Sequence, residues 1–165
     1  MVTRSKVGKI LMLSPEKCIG CRTCELICSF NKIKAFNPKS SRVSVISYDE
    51  AAISIPIMCM QCEEPSCMKV CPTSAIRKTE DGSVAIDEKK CIGCKLCVSA
   101  CPLGNITFSA TEKKIIKCDL CEGEPKCAEF CPSGAIEFKD AVPSTISRKK
   151  VIAEKFKDLF GEVSE

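Results

Sequence analysis

Cys91-Ile92-Gly93-Cys94-Lys95-Leu96-Cys97-Val98-Ser99-Ala100-Cys101-Pro102 spaces four cysteines by two, two and three residues and sets a proline directly after the last. Three thiols at that spacing sit on one tight loop and can cup a cubane iron–sulfur cluster. The same loop can turn its backbone amides toward the sulfurs. Gly93 permits the tight turn. Cys101, beyond the loop, is expected to start a short helix, with Pro102 at its first position. In two-cluster runs of this kind the fourth cysteine reaches across to the other cluster.

Four such groups of four cysteines occur, the second and fourth with four and five residues between their second and third members. Cys18, Cys21, Cys24 and Cys28 form a first group and Cys59, Cys62, Cys67 and Cys71 a second. Cys91, Cys94, Cys97 and Cys101 form the third, and Cys118, Cys121, Cys127 and Cys131 the fourth. None of the 16 cysteines is left over. Proline follows the last cysteine in three groups, as Pro72, Pro102 and Pro132, whereas Ser29 takes its place in the first. Groups one and three match the bacterial ferredoxin run, apart from that serine. Cys18-Ile19-Gly20-Cys21 recurs as Cys91-Ile92-Gly93-Cys94, and Glu64-Pro65-Ser66-Cys67 as Glu124-Pro125-Lys126-Cys127. Cys71-Pro72-Thr73-Ser74-Ala75-Ile76 recurs as Cys131-Pro132-Ser133-Gly134-Ala135-Ile136. Groups one and two therefore read as a unit repeated by groups three and four.

Composition excludes several classes. The chain has 165 residues, 25 Lys+Arg, 21 Asp+Glu and no His. Lack of imidazole removes His-bound haem, Rieske clusters and the common zinc enzymes. Cysteine accounts for much of the 45% apolar share, with only 7 Phe, 1 Tyr and no Trp beside it, so the core needs reinforcement by metal, disulfides or a partner. Ile10-Leu11-Met12-Leu13 is too short for a secretory signal, no Arg-Arg pair marks a twin-arginine leader, and no apolar run approaches a membrane span. The expectation is a cytoplasmic chain whose thiols hold metal. Net charge is +4, but four oxidised cubanes with thiolate ligands would add about −8. No aromatic platform accompanies the lysines, so nucleic-acid binding is not expected. An all-cysteine zinc site is the main rival, but zinc ribbons seldom pack such runs or follow them with proline.

Between the groups short hairpins are expected, one over Ile76–Ile86 around Asp81-Gly82 and one joining Ile106-Thr107-Phe108 to Lys114–Lys117. Ala51–Ile57 alternates and reads as an edge strand containing Pro56. Phe36–Ile46 is an insertion, read as a surface turn followed by a strand, serving either as a partner contact or as a decoration. Ser147–Phe160 carries Val151, Ile152, Phe156, Leu159 and Phe160 at helical spacing, a stripe that would cover the chain's own core or dock on a partner. The fold class is α+β: residues 1–140 form one four-cluster domain of two pseudo-repeated modules with an insertion at about 29–58, and 141–165 a helical tail.

Pro15–Phe138 resembles the four-cluster ferredoxin-like electron-transfer subunits of molybdenum and tungsten oxidoreductases, the family of the DMSO reductase iron–sulfur subunit. Cys18–Cys21, Cys59-Met60-Gln61-Cys62-Glu63-Glu64-Pro65-Ser66-Cys67 and Lys117-Cys118-Asp119-Leu120-Cys121 carry the likeness. The resemblance implies four 4Fe-4S clusters and nested ligation. One cluster would take Cys18, Cys21, Cys24 and Cys131, and another Cys118, Cys121, Cys127 and Cys28. The inner pair would be Cys59, Cys62, Cys67 with Cys101, and Cys91, Cys94, Cys97 with Cys71. The gaps between groups leave sequential pairing open as well. The short length and the Phe36-Asn37-Pro38 region look most like small subunits of tungsten aldehyde-oxidoreductase-type or benzoyl-CoA reductase complexes of anaerobes.

These readings predict a non-catalytic electron wire. Its partners would be a large tungsten or molybdenum pterin subunit and a ferredoxin or flavin subunit, with no nucleic acid and no membrane span. The alternatives are a free-standing polyferredoxin, a hydrogenase or CO-dehydrogenase partner, or a zinc-binding interaction module.

Overall fold

The computed structural model describes residues 8–140, so the tail helix expected over 147–160 lies outside the described residues. The chain runs through β1 (Lys9–Leu13), α1 (Thr23–Ile33), β2 (Val43–Tyr48), β3 (Ile53–Met58), α2 (Ser66–Lys69), β4 (Ile76–Lys78) and β5 (Val84–Ile86). It continues through α3 (Leu96–Ala100), β6 (Ile106–Ser109), β7 (Lys114–Lys117), α4 (Lys126–Glu129) and β8 (Ile136–Asp140). Strands pair as four antiparallel two-stranded ribbons: β1 with β8, β2 with β3, β4 with β5 and β6 with β7.

The expected hairpins are present. The β4–β5 turn closes with the Gly82 amide donating to Thr79 O (3.0 Å) and the Thr79 amide donating to Ser83 O (2.8 Å). In β2 the period of two buries Val43 and Val45 and exposes Ser44 and Ile46. Pro56 stands opposite Val45. A ribbon of two strands leaves each strand an unpaired edge, which tolerates a residue without an N–H.

Two features differ from expectation. Lys9–Leu13 is a strand, with Leu11 opposite Phe138 and Leu13 opposite Ile136, so the two ends of the described residues meet. The fourth cysteine of a group does not start a helix either. α3 stops at Ala100, and Cys101 is extended (φ −80°, ψ 111°), as a following proline demands. It is the third cysteine, Cys67, Cys97 or Cys127, that lies in the short helix. The proline then opens a turn, in which the amides of Ser74, Gly104 and Gly134 donate to the carbonyls of Cys71, Cys101 and Cys131 (3.2, 3.2 and 3.3 Å). Only group one lacks the proline, and its helix α1 runs on to Ile33, carrying both Cys24 and Cys28.

Two cores result. Leu11, Val43, Val45, Met58, Leu120 and Ile136 pack with Cys24, Cys28, Cys118 and Cys127. Ile76, Val84, Ile106 and Ile115 pack with Cys67 and Cys97. α1 lies against α4 and α2 against α3. Groups one and four thus share one core and groups two and three the other, except that Cys59 of group two packs against the first. Polar contacts stitch the halves together: Asn105 Nδ2 donates to Met58 O (2.8 Å), and Arg42 Nη2 pairs with Glu112 Oε2 (2.8 Å). Gln61 Nε2 donates to Cys118 O (2.9 Å) while its Oε1 accepts from the Val84 amide (2.8 Å).

Candidate iron–sulfur sites

None of the cysteines is joined in a disulfide. Groups one and three are built alike. Cys18 and Cys21, like Cys91 and Cys94, lie on a loop ahead of the helix that holds the third cysteine. Arg22 and Lys95, directly after the second cysteine, take left-handed backbone (φ 56° and 63°), which swings the chain from loop into helix. Gly20 is also left-handed (φ 67°), and a Cβ there would stand 2.8 Å from Ser54 Oγ. The first loop therefore lies against β3, in the insertion.

A partly open, mainly apolar cavity is lined by Cys18, Cys21, Cys24 and Cys131 beside Val45, Pro56 and Ile136. A second is lined by Cys71, Cys91, Cys94 and Cys97 beside Ile76, Ile86 and Ile115. The remaining cysteines gather too. Cys118, Cys28, Cys121 and Cys24 all lie close enough to act electrostatically on Cys127, and Lys117, Cys59 and Cys101 act so on Cys67. Cys62 is exposed on the loop after Cys59.

Backbone amides point at the last sulfur of each group. The Ala75 amide donates to Cys71 Sγ (3.2 Å) and the Asn105 amide to Cys101 Sγ (3.4 Å). For Cys71 burial works against the thiolate, yet the amides of Ile76 and Ala75 and the Thr73 hydroxyl outweigh it and hold the thiol below its ordinary value. Cys131 is lowered in the same way against burial, by Ile136, Ala135 and Ser133. These donors exist because the Cys-Pro turn folds its amides back over the sulfur. Cys28, inside α1, has no such turn. The insertion supplies the donor instead, with the Arg42 amide 3.3 Å from Cys28 Sγ.

Burial dominates at six other thiols. It pushes Cys24 and Cys118 up to about 12, and Glu25 adds to the rise at Cys24. Cys67, Cys97, Cys121 and Cys127 are raised chiefly by burial as well. Such thiols ionise only when a cation compensates them. Around Cys121 the backbone is left-handed at Leu120, Cys121 and Glu122 in succession. Asp119 Oδ1 accepts the Cys121 amide (3.0 Å) and its Oδ2 pairs with Lys32 (2.8 Å).

Thiols ringing a cavity suit a cubane, whose irons lie at the corners of a box. A single tetrahedral zinc, with Zn–S near 2.3 Å, would draw four sulfurs to within about 4 Å of one another. Among the described residues no three Cys, His, Asp or Glu side chains converge in that way. Lys117, Gln61 and Arg42 are functional neighbours that sequence reasoning did not assign. One signal for Lys117 was legible, a lysine closing the apolar strand Ile115-Ile116 beside a ligand. Nothing local marks Gln61 or Arg42.

Cavity-lining thiols with amides aimed at their sulfurs, in a scaffold of short hairpins and one-turn helices, define an iron–sulfur protein of ferredoxin-like architecture. Residues 51–141 match the 4Fe-4S dicluster domain, and residues 15–31 match a 4Fe-4S binding domain. The protein belongs to the 4Fe-4S dicluster domain family, and its cofactors are 4Fe-4S clusters. It is 41% identical over 111 residues to an iron–sulfur protein of Rhodospirillum rubrum, a match that covers 62% of this chain and 57% of that protein. It is 40% identical to the polyferredoxin-like subunit of aliphatic sulfonate oxidoreductase of Pyrococcus furiosus (56% and 53% covered). It is 37% identical to a subunit of the anaerobic dimethyl sulfoxide reductase of Escherichia coli (60% and 54% covered). The chain spans about half the length of these curated relatives. Among solved structures, it is similar to a component of the active-site complex BamBC of benzoyl coenzyme A reductase in complex with zinc. The TM-score is 0.50 at 26% identity, covering 94% of this chain and 96% of that one. No helix among the described residues is long and apolar enough to cross a membrane.

Proposed function

We propose that this chain is a non-catalytic electron-transfer subunit carrying four 4Fe-4S clusters in series between a molybdenum or tungsten pterin subunit and a second redox partner. The observation that carries the proposal is the make-up of the two cavities. Each is ringed by three cysteines of one group and the last cysteine of another, Cys131 with group one and Cys71 with group three. The proposed sets are Cys18, Cys21, Cys24, Cys131; Cys118, Cys121, Cys127, Cys28; Cys59, Cys62, Cys67, Cys101; and Cys91, Cys94, Cys97, Cys71. Neighbouring sets touch electrostatically in that order, through Cys24 with Cys127, Cys118 with Cys59, and Cys67 with Cys97.

A bound cubane takes up or releases one electron at a potential set by charge, sulfur hydrogen bonds and exposure. The chain's own work is to hold the sulfurs, to aim the amides of Ala75, Asn105 and Arg42 at them, and to keep water out with two small apolar cores. The chain has no His, and every thiol is assigned as a ligand, so no residue is assigned to acid–base or nucleophilic chemistry. Relatives named as subunits of dimethyl sulfoxide and sulfonate oxidoreductases support the kind of partner. Phe36, 69% exposed and stacked on Phe30 at 4.9 Å, favours a docked subunit over a free polyferredoxin. We place the protein in the cytoplasm, where thiols stay reduced for ligation.

Anaerobic purification tests the proposal. About 16 iron and 16 sulfide per chain, with brown absorption bleached by dithionite, are expected. A colourless protein with about four zinc and no sulfide would overturn it. Nested ligation predicts that Cys131→Ser alters the same cluster signal as Cys18→Ser; disturbance of the Cys118 set's signal alone would reject it.

A further inference from the structure

Lys117 closes β7 one residue before Cys118 and is only 6% exposed. Its Nζ donates to Cys118 O (2.7 Å) and to Val84 O. Among the described residues no carboxylate pairs with it, in contrast to Lys32, which has Asp119, and Arg42, which has Glu112. A buried ammonium satisfied only by carbonyls is costly unless negative charge lies close by. Cluster-bound thiolates would supply that charge, since Lys117 acts electrostatically on both Cys118 and Cys67. Gln61, beside Cys62, grips the same carbonyl of Cys118 and the amide of the same Val84. The ammonium is thereby fixed where the two cores meet, between the Cys118 set and the Cys67 set.

We propose that Lys117 is a positioning charge at the junction of the Cys118-set and Cys67-set clusters, raising the reduction potential of both. The inference rests on the four ligand sets proposed above. Reduction adds a negative charge to a cluster that already carries about −2 with its thiolates. A fixed cation in a site from which water is excluded favours that reduced state more than a surface lysine could. The junction is also where an electron must cross from one module to the other. A cation shared by both sides stabilises the reduced form of these two clusters together and does not leave either as a barrier.

The test is a redox titration followed by electron paramagnetic resonance on the full chain with its clusters loaded. Iron and sulfide are measured first, and fewer than four clusters in the unaltered protein would overturn the ligand sets on which the inference stands. With Lys117→Met, two of the four potentials are expected to fall by at least a tenfold change in the reduction equilibrium, 59 mV for one electron. The other two should move less, and Lys117→Arg should restore the pair. Four unchanged potentials, or four shifted equally, would overturn the proposal, because a merely structural lysine changes cluster content and not the spacing of potentials. Should Lys117→Met fail to load, Gln61→Glu decides, since it keeps the lysine and sets a carboxylate beside it. A fall of the same two potentials supports the charge role, and no fall overturns it.

Discussion

Burial sets the protonation of the thiols once iron is removed. Cys24 and Cys118, pushed by burial to about 12 in the metal-free protein, must lose protons to bind iron. Loading should therefore release protons and strengthen as pH rises from 7 to 9, measurable as iron affinity or proton release. Stability of the metal-free fold moves the other way. These folded-state values lie above the unfolded one near 9.0, so the folded state holds more protons once the unfolded thiols ionise. The contribution is present below pH 9 and is lost as pH rises from 9 toward 12, which a denaturant series at stepped pH would show. Ser74 offers a second test. It is exposed and left-handed (φ 51°) at the position that Gly104 and Gly134 fill in the equivalent turns. Relief of a left-handed non-glycine conformation is worth roughly 1–2 kcal/mol, and glycine's extra freedom when unfolded returns roughly half of that. Ser74→Gly should raise Tm by about 2–4 °C.

A single residue decides the length of a helix. Three groups end in Cys-Pro and their helices stop before it; Ser29 lets α1 run on. Ser29 is fully buried, its Oγ donating to Leu26 O (2.8 Å) and accepting the Asn37 amide (3.1 Å). It thus anchors the insertion to the helix, and the insertion in turn presents the Arg42 amide to Cys28. Ser29→Pro should cost about 3 kcal/mol or more by breaking α1. Ser29→Ala should cost about 1–3 kcal/mol by leaving the Asn37 amide unpaired. In both variants the Cys28-bound cluster should be the first lost, read from iron content. The Ser-for-Pro exchange is visible in the sequence and the hairpins are legible from alternation. The sequence misplaces the short helices, because Pro at a first helical position and Pro as a helix stop look alike until the residue before it is seen extended.

Two small cores leave much of the molecule's unity to polar stitches. Arg42 and Glu112 are both nearly buried and join the insertion to the β6–β7 turn, while Glu112 Oε1 has no hydrogen-bond partner among the described residues. Removing Arg42 leaves Glu112 with the longer ion pair to Lys114 (3.5 Å), so Arg42→Ala should lower stability by up to about 3 kcal/mol. Replacing both with apolar residues of similar size should recover most of that loss. A double-mutant cycle in denaturant measures the difference.

The sequence by itself determined the four cysteine groups, the hairpins and the iron–sulfur chemistry, because each depends on spacings of a few residues. It showed the repeat of groups one and two by groups three and four, and left sequential pairing of the groups open beside the nested one that the family resemblance implied. Only the tertiary structure put group one in one core with group four. It also brought β1 to β8, the Arg42 amide to Cys28, and Lys117 and Gln61 to the junction of the two cores. Those contacts join residues up to about 130 positions apart. No local pattern encodes them; they follow from which apolar faces can be buried together once the loops around the thiols have formed.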